Sequence, residues 1–155
     1  MFKNFELVHA LMEGGLSITT AESCTGGMIA SAIVDVPDAS KVFSEAFITY
    51  ADDVKSKTLA VNKLTIKQNG VVSEEVAKEM ATGAARKTGA EIAVSTTGYA
   101  GPSGGDESKP VGTVCFGFYI SGYVTTKTRF FTGTRNQIRT QATEYAIETL
   151  VKMIS

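Results

Sequence analysis

The spacing of hydrophobic residues changes several times along the chain, and each change marks the boundary of a predicted element. Ile29, Ala32 and Val36 recur every three to four residues, which is the period of a helix with one buried face. Shorter segments rich in β-branched residues, such as 91–97, are typical of strands instead. The pattern predicts helices over 4–13, 25–36, 51–61, 74–88 and 135–154, and strands over 16–21, 43–50, 91–97, 113–121 and 123–132.

One of these helices has clear signals at both ends. Ser73 is a favoured N-cap residue, and Gly89 is placed to end the helix in a left-handed conformation. The residues between them predict a buried face formed by Val76, Met80 and Ala84. Because that face is made largely of small side chains, we expect this helix to pack closely against its neighbours.

The order of the elements predicts the fold class. Helices and strands alternate in the first part of the chain, whereas the last two strands follow one another with a turn at Gly122. Alternation favours parallel strands joined by helices, and the consecutive pair favours an antiparallel hairpin. We therefore predict an α/β fold, a three-layer α/β/α sandwich with a mixed sheet, in which residues 1–155 form a single domain.

Composition narrows the function without identifying it. A net charge of −1 gives no electrostatic reason to expect direct nucleic-acid binding, and no apolar run approaches the ~20 residues of a membrane span. The first residues lack the charged and apolar regions of a signal peptide, and Cys24 and Cys115 are too few for a disulfide framework. We expect a cytoplasmic protein that contacts neither nucleic acid nor membrane.

The single histidine, His9, limits the chemistry that the chain can perform. With one histidine and no Cys-x-x-Cys pair, we expect no zinc or other metal site. No motif calls for a cofactor. His9 falls at the edge of a hydrophobic helix face, where a lone histidine is more simply explained without a chemical role. A serine nucleophile in this chain would therefore need a base other than histidine.

A polar turn with two glycines, Ser23-Cys24-Thr25-Gly26-Gly27, joins a predicted strand to a predicted helix and is the most informative segment. The N-terminus of a helix presents free N–H groups to an anion, and glycines let the backbone approach a ligand closely. Such a turn can cradle a phosphate or hold an oxyanion, with Ser23 or Cys24 as a nucleophile. The simpler alternative is that Ser23 only caps the helix.

Tyr50 and Lys55 form a second candidate. Tyr50 ends a predicted strand, and open α/β sheets bind ligands at the carboxyl ends of their strands. Lys55 falls in the first turn of the next helix, where the helix dipole disfavours a positive charge. Burial would also lower the pKa of its amine and make it a usable base. The alternative is an ordinary solvent-exposed lysine.

The segment 98–112 is a third candidate. It contains Gly98, Gly101, Gly104 and Gly105, and long segments without regular structure are usually functional in a compact domain. The glycines favour a backbone shaped toward a ligand, whereas a flexible surface loop is the alternative.

Arg135 and Arg139 form the fourth candidate, one helical turn apart at the start of the last helix. An arginine in the first turn of a helix is unfavourable unless it meets an anion. Both are therefore candidates for binding an anion, and a solvated helix face is the alternative.

Taken together, these motifs resemble the CinA C-terminal domain family, the nicotinamide mononucleotide deamidase family of bacteria. The matching motifs are TAESCTGG at 20–27, Thr-Tyr at 49–50 followed by Lys55, VSE at 72–74, GYAGP at 98–102, KPVGTV at 109–114, and Arg139 with QAT at 141–143. Because they occur in the family's order over nearly the whole chain, the resemblance is far more specific than any single motif. Tyr99 stands where the family often carries an aliphatic residue, which would alter the shape of the pocket.

The resemblance implies an amidohydrolase that converts nicotinamide mononucleotide to nicotinic acid mononucleotide and ammonia, as part of pyridine nucleotide recycling. It also implies a serine–lysine pair in which Ser23 is the nucleophile, Lys55 is its base and Tyr50 lies beside them. Backbone N–H groups from Cys24 to Gly27 would hold the oxyanion. Arg135, Arg139 and the Gly104-Gly105 loop would then be the candidates for binding the phosphate.

Two other functions fit the same residues. A non-catalytic nucleotide-binding module would use the glycine turns and arginines to hold a phosphate, with Ser23 as a cap. An interaction domain linked to DNA uptake or damage responses is suggested by the family name, although the near-neutral charge argues against direct contact with DNA. Because the sequence begins at Met1, we expect a stand-alone chain. As a separate expectation, we predict that it forms a homo-oligomer.

Overall fold

Five strands form one mixed sheet at the centre of the protein, which the computed structural model describes from residue 3 to residue 155. The strands are β1 (Ile18–Glu22), β2 (Phe47–Ile48), β3 (Ile92–Gly98), β4 (Thr113–Ile120) and β5 (Tyr123–Phe130). The helices are α1 (Asn4–Gly14), α2 (Met28–Val34), α3 (Asp52–Leu59), α4 (Lys63–Asn69), α5 (Glu74–Thr88) and α6 (Arg135–Ile154), with a short 3-10 turn at Ala39–Lys41.

The sheet order is β2-β1-β3-β4-β5. β1 runs parallel to both β2 and β3, whereas β4 is antiparallel to β3 and β5 is antiparallel to β4. The mixed sheet and the final hairpin are therefore confirmed. Because β1, β2 and β3 are parallel, their carboxyl ends lie at the same edge of the sheet, where α/β proteins bind ligands.

Helices cover both faces of the sheet and make three layers. On one face α1, α2 and α6 pack against alternate residues of the strands, including Ile18, Val94 and Phe116. On the other face α3 and α5 pack against Ala21 and Phe47. The predicted α/β/α sandwich is confirmed. The predicted inner face of α5 is confirmed as well, because Val76, Met80 and Ala84 are fully buried there.

The predicted strand 43–50 is shorter than expected. It pairs with β1 only over Phe47–Ile48, together with a single bridge between Phe43 and Ile18. Between these points the carbonyl of Glu45 accepts a hydrogen bond from the Thr19 hydroxyl at 2.7 Å, so a side chain replaces a backbone partner there.

Two helices also differ from the prediction. α2 begins at Met28 rather than at residue 25, because Gly26 and Gly27 adopt positive φ angles of 55° and 99° that form a turn. α4 escaped prediction because it has no buried residue and hence no hydrophobic period. Its only sequence signal is Asn62, an N-cap whose side chain accepts a hydrogen bond from the Leu64 N–H at 2.9 Å.

Candidate active site

A cavity of about 250 Å³ opens at the carboxyl edge of the parallel strands. The turn after β1, the first turn of α3, the segment before α5, the loop after β3 and the start of α6 all contribute to its walls. Its lining residues are Ser23, Cys24, Tyr50, Asp52, Lys55, Val71, Val72, Thr97, Gly98, Tyr99, Ala100, Gly101, Ser103 and Arg135. Segments far apart in the sequence therefore meet at one site.

The pair Ser23 and Lys55 lies at the floor of this cavity. The Lys55 Nζ atom is 3.1 Å from Ser23 Oγ, 2.8 Å from the Thr49 carbonyl oxygen and 3.1 Å from the Tyr50 carbonyl oxygen. Lys55 is only 1% exposed, although it sits in the first turn of α3. The structure thus brings together the nucleophile and the base that the resemblance implied.

Burial lowers the pKa of the Lys55 amine below its ordinary value, and the negative charge of Asp52 offsets part of this shift. Among residues 3–155 no carboxylate lies within ion-pair distance of Lys55. A neutral amine has two N–H donors and one lone pair, whereas an ammonium has three donors. The two carbonyl oxygens and the Ser23 hydroxyl can accept all three donors of the ammonium, and they also suit the neutral amine, since a hydroxyl can donate to its lone pair.

Glu22 occupies the N-terminus of α2. Its fully buried carboxylate accepts hydrogen bonds from the N–H groups of Gly27, Ile29 and Ala30 at 2.9–3.2 Å. The hydroxyl groups of Thr20 and Thr25 donate to it as well, at 2.9 and 2.8 Å. The anion at this helix N-terminus is therefore a side chain of the protein itself.

This arrangement corrects part of the expected oxyanion site. The Gly27 N–H donates to Glu22, and the Gly26 N–H donates to the Ser23 carbonyl at 3.1 Å, so we do not retain either as an oxyanion donor. The Ser23 N–H donates to the Thr96 carbonyl. Within the described residues, the N–H groups of Cys24 and Thr25 donate to no carbonyl or carboxylate. Of these two residues Cys24 lines the cavity, whereas Thr25, the next residue in the chain, is buried.

Cys24 is a poor rival nucleophile. Its side chain is 6% exposed and belongs to the hydrophobic core beneath the turn, and burial raises the pKa of the thiol to about 12. Since the thiolate is the reactive form, a thiol with this pKa stays protonated near neutral pH. Both cysteines are free and buried, as expected for a chain without a disulfide framework.

Tyr50 contributes to the site in two separate ways. Its carbonyl oxygen bonds Lys55, and it also lies 3.5 Å from Ser23 Oγ. Its hydroxyl instead accepts a hydrogen bond from Arg135 at 3.0 Å, and its side chain is 61% exposed. The Tyr50 hydroxyl therefore contacts Arg135 and not Lys55, and it is the backbone carbonyl of Tyr50 that contacts the lysine.

The two arginines of α6 have different environments. Arg135 lines the cavity and donates to the Gly101 carbonyl at 2.6 Å as well as to Tyr50. Arg139 is directed at the backbone of the turn after β1, donating to the Cys24 carbonyl at 2.9 Å and the Thr25 carbonyl at 3.2 Å. Because Arg135 lines the cavity and Arg139 does not, Arg135 is the arginine of this pair that is placed to contact a ligand there.

The glycine-rich loop divides in a similar way. Gly98 and Gly101 line the cavity, as does Tyr99, the residue that departs from the family pattern. Gly104 and Gly105 are exposed and are not among the described residues that line it. The expectation that this glycine pair holds the substrate phosphate therefore has no support from the cavity.

Sequence reasoning missed several walls of the cavity. Val71 and Val72 form one wall, and hydrogen bonds from two other segments hold the backbone of this wall in place. Thr97 donates to the Val71 carbonyl at 2.9 Å, and Lys109 donates to the Val72 carbonyl at 2.6 Å. The motifs VSE at 72–74 and KPVGTV at 109–114 were the available signal. What they could not show is that Lys109 ties one motif to the other.

The described residues also bear on the expected absence of a metal site and of a membrane span. Among the residues that the structure describes, no group of three or more histidine, cysteine or acidic side chains is placed to hold a metal ion. No helix in the described part of the chain is long and apolar enough to cross a bilayer. His9 is exposed on α1 and does not line the cavity.

The fold and the site define a class of protein: a three-layer α/β/α protein with a buried serine–lysine pair at the carboxyl edge of its parallel strands. A sequence model described as the CinA C-terminal domain matches residues 3–154. The chain therefore belongs to the CinA C-terminal domain family.

Individual relatives place the chain more closely within that family. It is 46% identical over 143 residues to nicotinamide-nucleotide amidohydrolase PncC of Escherichia coli strain K12, a match that covers 92% of this chain and 87% of that protein. It is 48% identical over 142 residues, 92% of its length, to a CinA-like protein of Kosmotoga olearia. That match covers 34% of the longer protein, so the chain spans about a third of such relatives.

Solved structures agree with the family and the fold. A CinA superfamily protein from Klebsiella pneumoniae superposes with a TM-score of 0.95 at 35% identity, covering 97% of this chain and 94% of that one. The competence/damage inducible protein CihA from Agrobacterium tumefaciens gives a TM-score of 0.90 at 36% identity, covering 100% and 99%. The predicted family and fold class are confirmed.

Proposed function

We propose that this protein hydrolyses the carboxamide of nicotinamide mononucleotide to nicotinic acid mononucleotide and ammonia through an acyl-enzyme on Ser23. The contact between Ser23 Oγ and the buried amine of Lys55 carries the proposal, because it supplies a nucleophile and a base in one cavity. The PncC relative is named for amide hydrolysis of a nicotinamide nucleotide, and it matches this chain over most of its own length.

The first half of the reaction forms the acyl-enzyme. Neutral Lys55 accepts the Ser23 proton as Oγ bonds to the amide carbon, and the carbonyl π electrons move to the oxygen. The N–H groups of Cys24 and Thr25 stabilise the resulting oxyanion. When the intermediate collapses, the C–N bond breaks and the Lys55 ammonium gives its proton to the departing nitrogen, so that ammonia leaves.

The second half repeats the same proton transfers with water. Lys55, neutral again, takes a proton from a water molecule that attacks the ester carbon. Collapse of the second tetrahedral intermediate breaks the C–O bond to Ser23 and returns the proton to Oγ. Arg135 is the cationic side chain of the cavity and is the candidate to bind the substrate phosphate.

Loss of either member of the pair tests this chemistry. We expect Ser23→Ala and Lys55→Ala each to lower kcat for ammonia release from nicotinamide mononucleotide by at least about 10³-fold, because one removes the nucleophile and the other its base. Lys57→Ala, which removes an exposed lysine from the same helix, is the matched control and should retain near-normal kcat. Cys24→Ser should also be tolerated.

A folded Ser23→Ala or Lys55→Ala protein with near-normal kcat would contradict the pair. Loss of activity in Cys24→Ser together with retention in Ser23→Ala would instead assign the nucleophile to Cys24. Comparing the mononucleotide with its riboside and free nicotinamide tests the substrate class. Binding of the mononucleotide without turnover would select the nucleotide-binding alternative.

A further inference from the structure

Every nitrogen of Arg139 already donates a hydrogen bond within the protein. Nε donates to the Cys24 carbonyl at 2.9 Å, Nη2 to the Thr25 carbonyl at 3.2 Å and Nη1 to the Asn136 side chain at 3.2 Å. The side chain therefore crosses from the last helix to the turn that carries Ser23 and holds the backbone there. An arginine committed to two consecutive carbonyl groups needs another explanation than ligand binding.

The peptide geometry of this turn shows what those contacts do. A trans peptide is planar, with its C=O and N–H directed in opposite senses. The Cys24 carbonyl belongs to the same peptide as the Thr25 N–H, so the Arg139 Nε contact fixes the direction of that N–H. A charged donor on the carbonyl also strengthens the N–H at the other end of the peptide as a donor.

The second contact reaches the Cys24 N–H through one more peptide. Arg139 Nη2 bonds the Thr25 carbonyl, whose peptide carries the Gly26 N–H. The Gly26 N–H donates to the Ser23 carbonyl at 3.1 Å, and that peptide carries the Cys24 N–H. The two N–H groups that are left over in the turn therefore each end a chain of hydrogen bonds that starts at the guanidinium of Arg139.

We propose that Arg139 is a positioning residue that orients and polarises the Cys24 and Thr25 N–H groups as the oxyanion donors beside Ser23. The inference rests on the serine chemistry of the proposed function and adds the source of its oxyanion stabilisation. Glu22 holds the other side of the turn by occupying the N–H groups of α2. The turn is thus fixed by an internal anion and an internal cation.

Arg135 offers a contrast one helical turn away, because it is the same residue type but lines the cavity. We expect Arg139→Ala to lower kcat roughly 10- to 100-fold, somewhat less than complete loss of an oxyanion donor, with KM changed less than about threefold. We expect Arg135→Ala to act mainly on KM. The acid limb of the pH profile should stay in place in Arg139→Ala, since Lys55 and its contacts are unchanged.

A second readout is independent of the substrate. A small fluorophosphonate reacts when Ser23 Oγ bonds to phosphorus, Lys55 accepts the hydroxyl proton and fluoride leaves. The negative charge that develops on the phosphoryl oxygen uses the same oxyanion donors. We expect its rate of reaction with Ser23 to fall by a factor similar to kcat in Arg139→Ala. Methylguanidinium should restore part of both rates if only the guanidinium is missing. It would not restore them if Arg139→Ala had loosened the fold in general. Both rates in Arg139→Lys, which keeps one charged donor, should fall between those of the unmodified protein and those of Arg139→Ala.

The outcomes separate this inference from the proposed function. Suppose that the unmodified protein hydrolyses the mononucleotide and that Arg139→Ala has a normal kcat and a raised KM. That result would overturn the positioning role of Arg139 and restore a phosphate-binding role. Arg139-dependent labelling of Ser23 without turnover of the mononucleotide would support the positioning role while overturning the substrate. If Arg139→Ala does not fold, Arg139→Lys decides, and near-normal labelling and kcat in that variant would overturn the inference.

Discussion

The Nζ atom of Lys55 has three polar neighbours, two carbonyl oxygens and the Ser23 hydroxyl, in a position that is almost completely buried. Placement in the first turn of a helix and burial both disfavour the charged amine. The backbone carbonyl groups around Lys55 therefore determine the environment of the proposed base. In the structure the amine donates to the carbonyl groups of Thr49 and Tyr50 and to Ser23 Oγ. After loss of one proton it can keep both carbonyl acceptors and turn its lone pair toward Ser23.

The pH dependence of activity in an Asp52 variant tests the proposed role of Lys55. In the proposed mechanism Lys55 acts as a neutral amine, so we expect kcat/KM to rise with pH through the pKa of that amine. The negative charge of Asp52 raises this pKa against the larger effect of burial. Asp52→Asn removes that contribution, so the pKa falls further and the acid limb should move to lower pH.

Asp53→Asn is the matched control, because Asp53 lies in the same helical turn but not among the residues that line the cavity. Its acid limb should coincide with that of the unmodified protein. A limb that moves to higher pH in Asp52→Asn, or that moves equally in both variants, would argue against Lys55 as the titrating base.

Residue types and the family resemblance predicted the serine–lysine pair but not the tasks of their neighbours. The residue types made Ser23 and Lys55 candidates, because nucleophile and base chemistry belongs to the side chains, and the family resemblance implied that they act as a pair. The tasks of Glu22 and Arg139 depend on where backbone N–H and C=O groups are directed, which appears only once the turn is closed. The sequence therefore assigned Arg139 to a phosphate and gave Glu22 no task.

At the scale of elements, the position of Lys55 depends on how closely α3 approaches α5. Gly83 lies where α5 meets the last residue of α3, and a Cβ atom there would be 2.0 Å from the carbonyl oxygen of Leu59. The absence of a side chain is thus what permits the contact. Since Lys55 is on α3, this packing also fixes the base relative to Ser23.

Gly83→Ala should therefore reverse the usual effect of this substitution. Helix propensity alone predicts a gain of about 1 kcal/mol in the free energy of unfolding. The clash with Leu59 should instead lower it by about 1–3 kcal/mol, measured by urea unfolding, and displacement of α3 should lower kcat. Thr82→Ala, at the preceding and partly exposed position, should change stability by no more than about 0.5 kcal/mol. A stabilised Gly83→Ala protein would contradict this packing.

Elements with strong local signals were predicted almost to the residue. α5 has a Ser73 cap and a Gly89 stop, and α6 begins after a Thr134 capping box. Elements without a buried face were not, as α4 shows. The edge strand β2 was overestimated, because extended β-branched sequence does not reveal that a threonine side chain takes one of its pairing positions.

At the scale of the whole molecule, the site exists because parallel strands bring distant segments to one edge of the sheet. Arg139 contacts residues that precede it by 114 and 115 positions, and Ser23 and Lys55 come from different β–α units. Alternation of helices and strands predicted the fold class. It could not give the strand order, and so it could not say which loops meet around the cavity.

The most direct test of the account is the identity of the atom that carries the acyl group during turnover. Protein mixed with nicotinamide mononucleotide is quenched with acid in the first turnovers, digested, and analysed with fragment ions that separate Ser23 from Cys24. We predict the mass of the substrate less ammonia on Ser23, absent in Ser23→Ala and strongly reduced in Lys55→Ala. The same mass on Cys24, or full turnover by Ser23→Ala, would contradict the account.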